Sequence, residues 1–219
     1  MGPCIIRASP VTDWLAWHRA YEDPESTLSR RLVVVRRILD DAIAALGRER
    51  VRVLSLCAGD GRDVLPVLGE WRERKAISAR LIEAEPVLVD RARRFVARER
   101  LEAVEVVCGD AARPAIYEGA LPADLIVACG IFGNVSDADV HGFVESLPAL
   151  CAEGANVVWT RHRHEPDLTP SIRGWFAEAG FEERAFDSPG PNDFSVGRHQ
   201  LVLPPRAIPL RDPLFSFVR

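Results

Sequence analysis

The segment VRVLSLCAGDG, residues 51–61, decides the fold. Val51–Leu56 is an apolar run typical of a buried strand, and it leads through a turn containing Gly59 and Gly61 into a segment with helical periodicity. Small residues in such a turn let the backbone approach a ligand closely, and the first N–H groups of the following helix are free to donate to it. Because a Gly-x-Gly turn alone is weak evidence, its meaning depends on the rest of the chain.

Short apolar runs alternate with longer amphipathic segments after this turn. The predicted strands are 51–56, 79–83, 104–108, 124–129 and 155–160, and the predicted helices between them are 62–74, 87–100 and 137–151. Strands that alternate with helices predict βαβ units and a mostly parallel sheet with helices on both faces.

The two ends of the chain have a different character. A helix is predicted from Thr169-Pro170 to about Ala179, followed by strands 181–186 and 194–203, which we expect to form an antiparallel edge. Two helices, 12–21 and 26–46, precede the first strand. Ser26 is the predicted N-cap of the second and Gly47 its stop, and Ser136 is the predicted N-cap of helix 137–151. We therefore expect an N-terminal helical cap over 1–49, an α/β domain over 50–203 and a Pro-rich tail over 204–219.

Composition excludes several classes of protein. Lys plus Arg is 28 and Asp plus Glu is 32, so the net charge is −4 and the chain as a whole does not attract nucleic acid. No apolar run is long enough for a membrane span. The 5 cysteines are odd in number and form no C-x-x-C pair, which favours free thiols in a reducing cytoplasm and no disulfide framework.

Polar and small residues follow the next three predicted strands. Glu83 ends the second strand, Asp110 follows the third, and Cys129 and Gly130 follow the fourth. The carboxyl ends of parallel strands meet at one edge of a sheet, so these residues are expected beside the glycine turn.

This combination resembles the class I S-adenosylmethionine (SAM) dependent methyltransferases over roughly residues 50–203. The resemblance implies a Rossmann-like fold with seven strands, SAM as the cofactor and S-adenosylhomocysteine as its product. It implies that Cys57, Ala58, Gly59, Asp60 and Gly61 line the methionine part, that Glu83 and its neighbour Ala84 lie at the ribose, that Asp110 and Ala111 flank the adenine, and that Cys129 and Gly130 lie beside the methyl group.

The sequence departs from this family's first motif at two positions. Ser55 stands where an acidic residue that helps to fix the methionine ammonium is common, and Cys57 stands where glycine is common. Two assignments also stay open at the sequence level. Glu85 competes with Glu83 for the ribose, and Asp110 is equally suited to capping the segment after it.

The acceptor cannot be identified from a single motif. Family members that methylate amide or exocyclic nitrogens often carry an Asn/Asp-Pro-Pro-Tyr tetrad after the fourth strand, and this chain has Cys129–Phe132 there instead. We expect Asn134 to bind the acceptor, His162 to accept its proton and Arg161 to hold a carboxylate or phosphate. The competing interpretations are a turn residue for Asn134 and surface ion pairs around residues 161–164.

An aromatic stripe near the N-terminus has two interpretations. Trp14, Trp17, His18 and Tyr21 share one helical face at spacings of three and four residues. They are predicted either to wall the acceptor pocket or to dock the first helix on the core. No third ligand accompanies His162 and His164, so no metal site is expected.

The function predicted from the sequence is methyl transfer to the oxygen or nitrogen of a small molecule by a cytoplasmic monomer or homodimer. A nicotinamide-dependent reductase is disfavoured, because Val64 replaces the third glycine of its fingerprint and no Tyr-x-x-x-Lys pair is present. The sequence also leaves open a non-catalytic SAM-binding protein of the same fold and an RNA or protein methyltransferase. An enzyme of the latter kind could use a basic stripe, although the solvated face of a helix is the favoured interpretation of these residues, which are Arg91, Arg93, Arg94, Arg98 and Arg100.

Overall fold

A computed structural model describes residues 18–71 and 76–218. It contains a sheet of seven strands. They are β1 (Arg50–Leu56), β2 (Ala76–Glu83), β3 (Val104–Cys108), β4 (Ala123–Ala128), β5 (Cys151–His162), β6 (Phe181–Asp187) and β7 (Phe194–Leu201).

Five α-helices connect or flank these strands within the described ranges. They are α1 (Thr27–Ala45), α2 (Leu65–Trp71), α3 (Pro86–Arg98), α4 (Asp137–Leu150) and α5 (Thr169–Glu178). Two short 3₁₀ helices, Arg19–Glu22 and Pro114–Tyr117, complete the regular structure.

The strand order is β3-β2-β1-β4-β5-β7-β6. Strands β1 to β5 are parallel to one another, whereas β7 runs antiparallel to both β5 and β6. The predicted α/β fold with an antiparallel C-terminal edge is thus confirmed. Strand β7 lies between β5 and β6, and β6 is the edge strand. The order reverses between β1 and β4, and this reversal positions the candidate site.

The core forms two layers because successive strand residues point to opposite faces of the sheet. One cluster joins Leu54 and Ile126 to residues of α4 and α5, and the other joins Val53 and Leu125 to residues of α1, α2 and α3. Every residue of β4 is buried, as expected of a central parallel strand. Helices therefore cover both faces of the sheet.

Helix ends follow the predicted capping chemistry. The Ser26 Oγ accepts from Ser29 N at 3.1 Å, and the Ser136 Oγ accepts from Asp139 N at 3.1 Å, so each hydroxyl satisfies an N–H group that has no partner inside its helix. Gly47 follows α1 with a φ of 55°, a left-handed conformation that glycine adopts without steric cost.

Two predicted boundaries were wrong in ways that affect the site. Helix α2 begins at Leu65 instead of Arg62, because residues 61–64 form a turn in which Val64 N donates to Gly61 O. Strand β5 extends over Cys151–His162, beyond the predicted 155–160, because Arg161 and His162 pair with Ser195 and Phe194 of β7. The polar segment after the fifth strand therefore begins inside the sheet.

The Pro-rich tail lacks helix and regular strand, as predicted, but it packs on the domain. Leu214 and Phe215 are buried, and the Phe215 ring lies edge-on against Phe143 of α4. The backbone N–H of Leu214 donates to Ala112 O at 2.8 Å, and that of Val218 donates to Asn134 O at 2.9 Å. The tail thus braces the loop after β3 and the loop after β4.

The prediction of free thiols is confirmed for three cysteines and wrong for one. Cys57, Cys129 and Cys151 are free, whereas Cys108 is disulfide-bonded. Spacing along the chain did not reveal this bond, because a disulfide depends on distance in space. Among the described helices, none has both the length and the apolar composition needed to cross a membrane.

A buried histidine connects β7 to β5 and α5. The indole N–H of Trp159 donates to His199 Nδ1 at 3.1 Å, and the His199 ring stacks on Phe176 with centroids 4.3 Å apart. Burial lowers the pKa of His199 to about 4, although the charge of Glu183, 3.6 Å away, opposes the shift. The imidazole is therefore neutral in the fold at neutral pH.

This histidine should make the fold sensitive to acid. The unfolded chain binds the proton more readily because its histidine pKa is near 6.5, so stability falls as the pH drops from about 6.5 towards 4. Between about pH 7.5 and 5, the expected loss from His199 is about 2 kcal/mol. Urea unfolding across this range should show a smaller pH-dependent loss for His199→Gln than for the natural chain. Equal slopes would contradict the assignment.

Candidate active site

The reversal of strand order opens a crevice at the carboxyl ends of β1 and β4. The two strands are adjacent, but α2 packs on one face of the sheet and α4 on the other. The connections therefore diverge, which makes this point the usual ligand-binding position of an open α/β sheet. The segments that follow β1, β2, β3, β4 and β5 all emerge at this edge.

The glycine turn follows β1 and has an unusual backbone. Cys57, Gly59 and Gly61 adopt positive φ values of 51°, 59° and 73°. The turn is tied to β2 because Ala58 N donates to Ile82 O at 2.9 Å, and it leads into α2 because Leu65 N donates to Gly61 O at 2.8 Å. At Cys57, a side chain occupies a backbone conformation that favours glycine.

Glu83 joins the end of β2 to this turn. Its Oε2 accepts from Gly59 N at 2.8 Å, and its Oε1 accepts from Glu85 N at 2.8 Å. Burial raises the pKa of Glu83, although these backbone N–H groups oppose the rise. Glu85 instead accepts from Val87 N at 3.2 Å and caps α3. Glu83 and Glu85, the two candidates for the ribose, thus have different partners: Glu83 holds the glycine turn, and Glu85 caps α3.

Ser55, which stands where an acidic residue is common in this family, belongs to β1 and lies just before the turn. Ser55 is buried, and its Oγ has no hydrogen-bond partner among the residues that the structure describes. Asp63, which follows the turn, was not among the predicted site residues, and its Oδ1 accepts from Val64 N at 2.8 Å. Burial raises the pKa of Asp63 to about 6. Its position two residues after Gly61 was the only sequence signal.

The residues assigned to the adenine form the loop after β3. Asp110 accepts from Ala112 N at 2.9 Å and lies 3.6 Å from the guanidinium of Arg113, so its carboxylate caps this loop. Ala111 is buried, and its carbonyl accepts from the Tyr117 hydroxyl. The structure therefore gives Asp110 the capping contact that the sequence left open.

The loop after β4 is held by side chains from two directions. Gly130 has a φ of 79°, and its N–H donates to the Thr160 hydroxyl of β5 at 2.9 Å. The Asn134 side-chain amide donates to Gly130 O at 2.7 Å, so this predicted acceptor-binding residue also braces the loop. Burial raises the pKa of the Cys129 thiol, which keeps it protonated at neutral pH.

His18 and Tyr21 lie on the glycine turn, whereas Trp14 and Trp17 fall outside the described residues. A Cβ built on Gly59 would lie 2.7 Å from His18 Cε1. The guanidinium of Arg62 lies over the Tyr21 ring at 4.3 Å. Burial lowers the pKa of His18 to about 4, and the charge of Asp60 partly offsets this. A neutral imidazole therefore covers the turn.

The prediction that Arg161 follows the fifth strand was wrong. Arg161 belongs to β5, is 8% exposed, and donates to Phe132 O. Its guanidinium also lies 3.4 Å from the Asp137 carboxylate at the start of α4. Because β5 extends through this residue, the side chain braces the loop between β4 and α4.

His162 is half-buried at the end of β5. Its ring stacks on His164 with centroids 5.0 Å apart and lies beside Gly133. His164 N donates to His162 Nδ1 at 3.3 Å, so a neutral His162 carries its proton on Nε2. In this arrangement Nε2 is a donor, and proton removal by His162 stays a prediction.

No cluster of three or more His, Cys, Asp or Glu side chains in the described ranges could hold a metal ion. The predicted cofactor residues, by contrast, all lie on the turn or on loops at the same sheet edge. The arrangement offers a tight glycine turn and the half-buried carboxylate of Glu83, which suit an organic cofactor.

Comparison with known proteins gives a family. The family model described as "Putative methyltransferase" matches residues 27–174, which is more than half of the chain. The match runs from α1 into α5 and includes every residue predicted to bind the cofactor. No curated protein matches the chain.

Solved structures share the fold. Magnesium protoporphyrin IX methyltransferase from Synechocystis PCC 6803, with bound SAM, has a TM-score of 0.66 at 13% identity and covers 86% of this chain and 91% of its own. An RNA methyltransferase from Salinibacter ruber, in complex with S-adenosylhomocysteine, has a TM-score of 0.52 at 21% identity, with 80% and 93% covered. A possible exported protein from Bordetella parapertussis has a TM-score of 0.61 at 18% identity, with 79% and 67% covered.

The contact between His18 and the turn can be tested by a double-mutant cycle. Gly59→Ala places a Cβ against the imidazole and forces alanine into a left-handed conformation, so it should destabilise the fold by about 2 kcal/mol. With His18→Ala present, only the backbone strain of about 1 kcal/mol should remain. Urea unfolding of the four proteins measures both values. An equal cost in both backgrounds would show that His18 does not pack on Gly59.

Proposed function

The chain belongs to this methyltransferase family, and we propose that it transfers a methyl group from SAM to a small-molecule acceptor. The observation that carries the proposal is the bond between Glu83 and the N–H of Gly59. It joins the two segments that a SAM ribose and methionine would contact, and it lies at the crevice between β1 and β4. The SAM and S-adenosylhomocysteine found with neighbours of the same fold support this choice of cofactor.

The residues present fit this cofactor. Residues 57–61 supply a backbone cradle with little side-chain bulk, while Glu83 and Ala84 lie where ribose hydroxyls need an acceptor. Asp110 and Ala111 then face the adenine, and Cys129 and Gly130 face the methyl group. Ser55 supplies no charge for the methionine ammonium, and we propose the carboxylate of Asp63 as its substitute.

SAM supplies a methyl group already activated by a sulfonium, so the protein needs chiefly to align the acceptor and exclude water. His18 and Tyr21 cover the turn and are suited to excluding water, and Trp14 and Trp17, outside the described residues, stay predicted wall residues of the acceptor pocket. We assign Asn134 and Arg161 to positioning the acceptor, since both hold the loop after β4. The acceptor's proton would go to His162 only if its Nδ1 were released from His164.

A small acceptor is favoured over a nucleic acid by the net charge of −4, which gives the chain as a whole no attraction for phosphate backbones. The neighbour from Synechocystis carries a small molecule, magnesium protoporphyrin IX, in its name. The neighbour from Salinibacter is an RNA methyltransferase, which keeps RNA as the second candidate.

We propose a division of labour along the chain. Residues 50–203 bind the cofactor, the N-terminal segment 1–49 contributes His18 and Tyr21 to the cover of the glycine turn, and residues 204–219 brace the loops, in a monomer or homodimer. We propose the cytoplasm as the location: the thiols of Cys57, Cys129 and Cys151 are free, which a reducing compartment favours, and the disulfide at Cys108 would be reduced there. Thiol labelling of protein isolated from its native cells tests this: a persistent disulfide at Cys108 would contradict a reducing compartment.

Calorimetric titration tests the choice of cofactor. The purified chain should bind SAM and S-adenosylhomocysteine with micromolar affinity and should not bind NADPH. Binding of NADPH alone would contradict the proposal. Binding of SAM without turnover on any small acceptor or RNA would favour a non-catalytic SAM-binding protein.

Glu83 should matter more for cofactor binding than Glu85. Glu83→Gln places an amide NH₂ against one of two backbone N–H groups and removes the charge, so affinity for SAM should fall roughly tenfold or more. Glu85→Gln changes the same atoms on a residue that caps α3 and should leave the affinity within about twofold. Titration of both variants with SAM decides this, and an equal or reversed order would reject Glu83 as the ribose ligand.

A further inference from the structure

A cleft beside the glycine turn is lined by arginines. It has a volume of about 320 Å³ and lies between α1, α3 and the turn with the start of α2. Its positive residues are Arg36, Arg62, Arg91, Arg94 and Arg98, and the other lining residues are Asp60, Pro66 and Phe95. None of these arginines belongs to the residues that would hold SAM.

The charge balance of this cleft differs from that of the chain. The whole protein carries a net charge of −4, yet the cleft brings five guanidinium groups together with the single carboxylate of Asp60. Placing like charges close together is unfavourable unless an anion compensates them. The cleft therefore offers a positive potential that most of the surface does not share.

Three of the five arginines are held by protein groups. The Arg36 Nε donates to Arg62 O at 2.9 Å, Arg62 pairs with Asp60, and Arg98 lies over the Phe95 ring at 4.8 Å. Their guanidinium groups are thus held in place before any ligand arrives, which lowers the entropic cost of binding.

Arg91 and Arg94 differ from these three. Both are exposed, and neither forms a hydrogen bond or ion pair within residues 18–71 and 76–218. Their charge is available to a ligand without breaking an existing contact.

The helix α3 presents its positive residues in a row. Arg91, Arg94 and Arg98 fall at spacings of three and four residues and so lie on one helical face, over about 10 Å of the axis. The opposite face of α3 buries Leu88, Val89 and Ala92 in the core. The cationic face therefore lines the cleft while the apolar face anchors the helix.

We propose that this cleft binds a small molecule carrying two or more phosphate groups. Arginine presents paired N–H donors that match phosphate oxygens, and the row on α3 is long enough for a short chain of phosphates. The volume of the cleft, about 320 Å³, is that of a small-molecule site, which favours such a ligand over a long nucleic acid strand. The proposal rests on the arginines and does not require SAM to be the cofactor.

The cleft also borders the cofactor turn, because Asp60 and Arg62 belong to both. A phosphate group would compete with Asp60 for the guanidinium of Arg62. Asp60 lies near His18, since its charge acts on the pKa of that imidazole. A polyphosphate ligand is therefore placed to act as an effector of the neighbouring site or as an anchored part of the acceptor.

Titration of the full chain with sodium tripolyphosphate, ATP and orthophosphate, without SAM, tests the proposal. Tripolyphosphate and ATP should bind at one site, at least roughly tenfold more tightly than orthophosphate. Arg91→Glu and Arg94→Glu should each weaken tripolyphosphate binding roughly tenfold or more, and Arg94→Lys should weaken it less. Both arginines are exposed, so the variants should fold, which thermal unfolding checks.

The matched control is Arg50→Glu. It makes the same charge change at an exposed arginine that begins β1, and so lies at the amino end of the strand, opposite the glycine turn. It should alter tripolyphosphate affinity by less than about twofold. An equal loss in this control would mean that only net charge matters, and no binding at millimolar tripolyphosphate would reject the site. Tighter binding of short single-stranded RNA than of ATP, with the same arginine dependence, would assign the cleft to RNA and overturn the proposal.

Discussion

The candidate site depends on one topological constraint, the adjacency of β1 and β4 in a sheet whose order reverses between them. Helix α2 leaves β1 towards one face and α4 follows β4 on the other, so no connection fills the space between their carboxyl ends. The glycine turn borders this space. The carboxylate of Glu83 then fixes the turn against the end of β2, and the loop after β4 is fixed by Thr160 and Asn134.

Much of this arrangement was predictable because it depends on local sequence. Buried strands require continuous apolar runs, so β1, β3 and β4 were predicted to within one or two residues. The strand–turn–helix unit at Gly59 and the parallel order of the following strands together place Glu83, Asp110 and Gly130 at one edge. The predicted caps Ser26 and Ser136 were likewise confirmed, since capping uses neighbours only a few residues away.

The remaining features depend on partners that are distant in the sequence. Strand β5 includes Arg161 because β7 pairs with it, and that arginine is occupied by Phe132 and Asp137. The tail is anchored because the Phe215 ring packs against Phe143 of α4 and the N–H of Leu214 donates to Ala112 O in the loop after β3. The basic stripe of α3 was recognised as a pattern, but only the packing of α1 and the turn against it shows that three of its arginines line a cleft.

The most direct test of the account is hydrogen exchange of the backbone amides with and without S-adenosylhomocysteine. If the crevice between β1 and β4 binds the cofactor, exchange should slow at residues 58–61 and 84–85, and it should be unchanged in the β6–β7 hairpin. These two segments contain Gly59 and Glu85, whose N–H groups donate to the two oxygens of the Glu83 carboxylate, so their exchange reports on the site itself. Protection confined to other segments, or no protection at a saturating concentration, would contradict the assignment of the glycine turn.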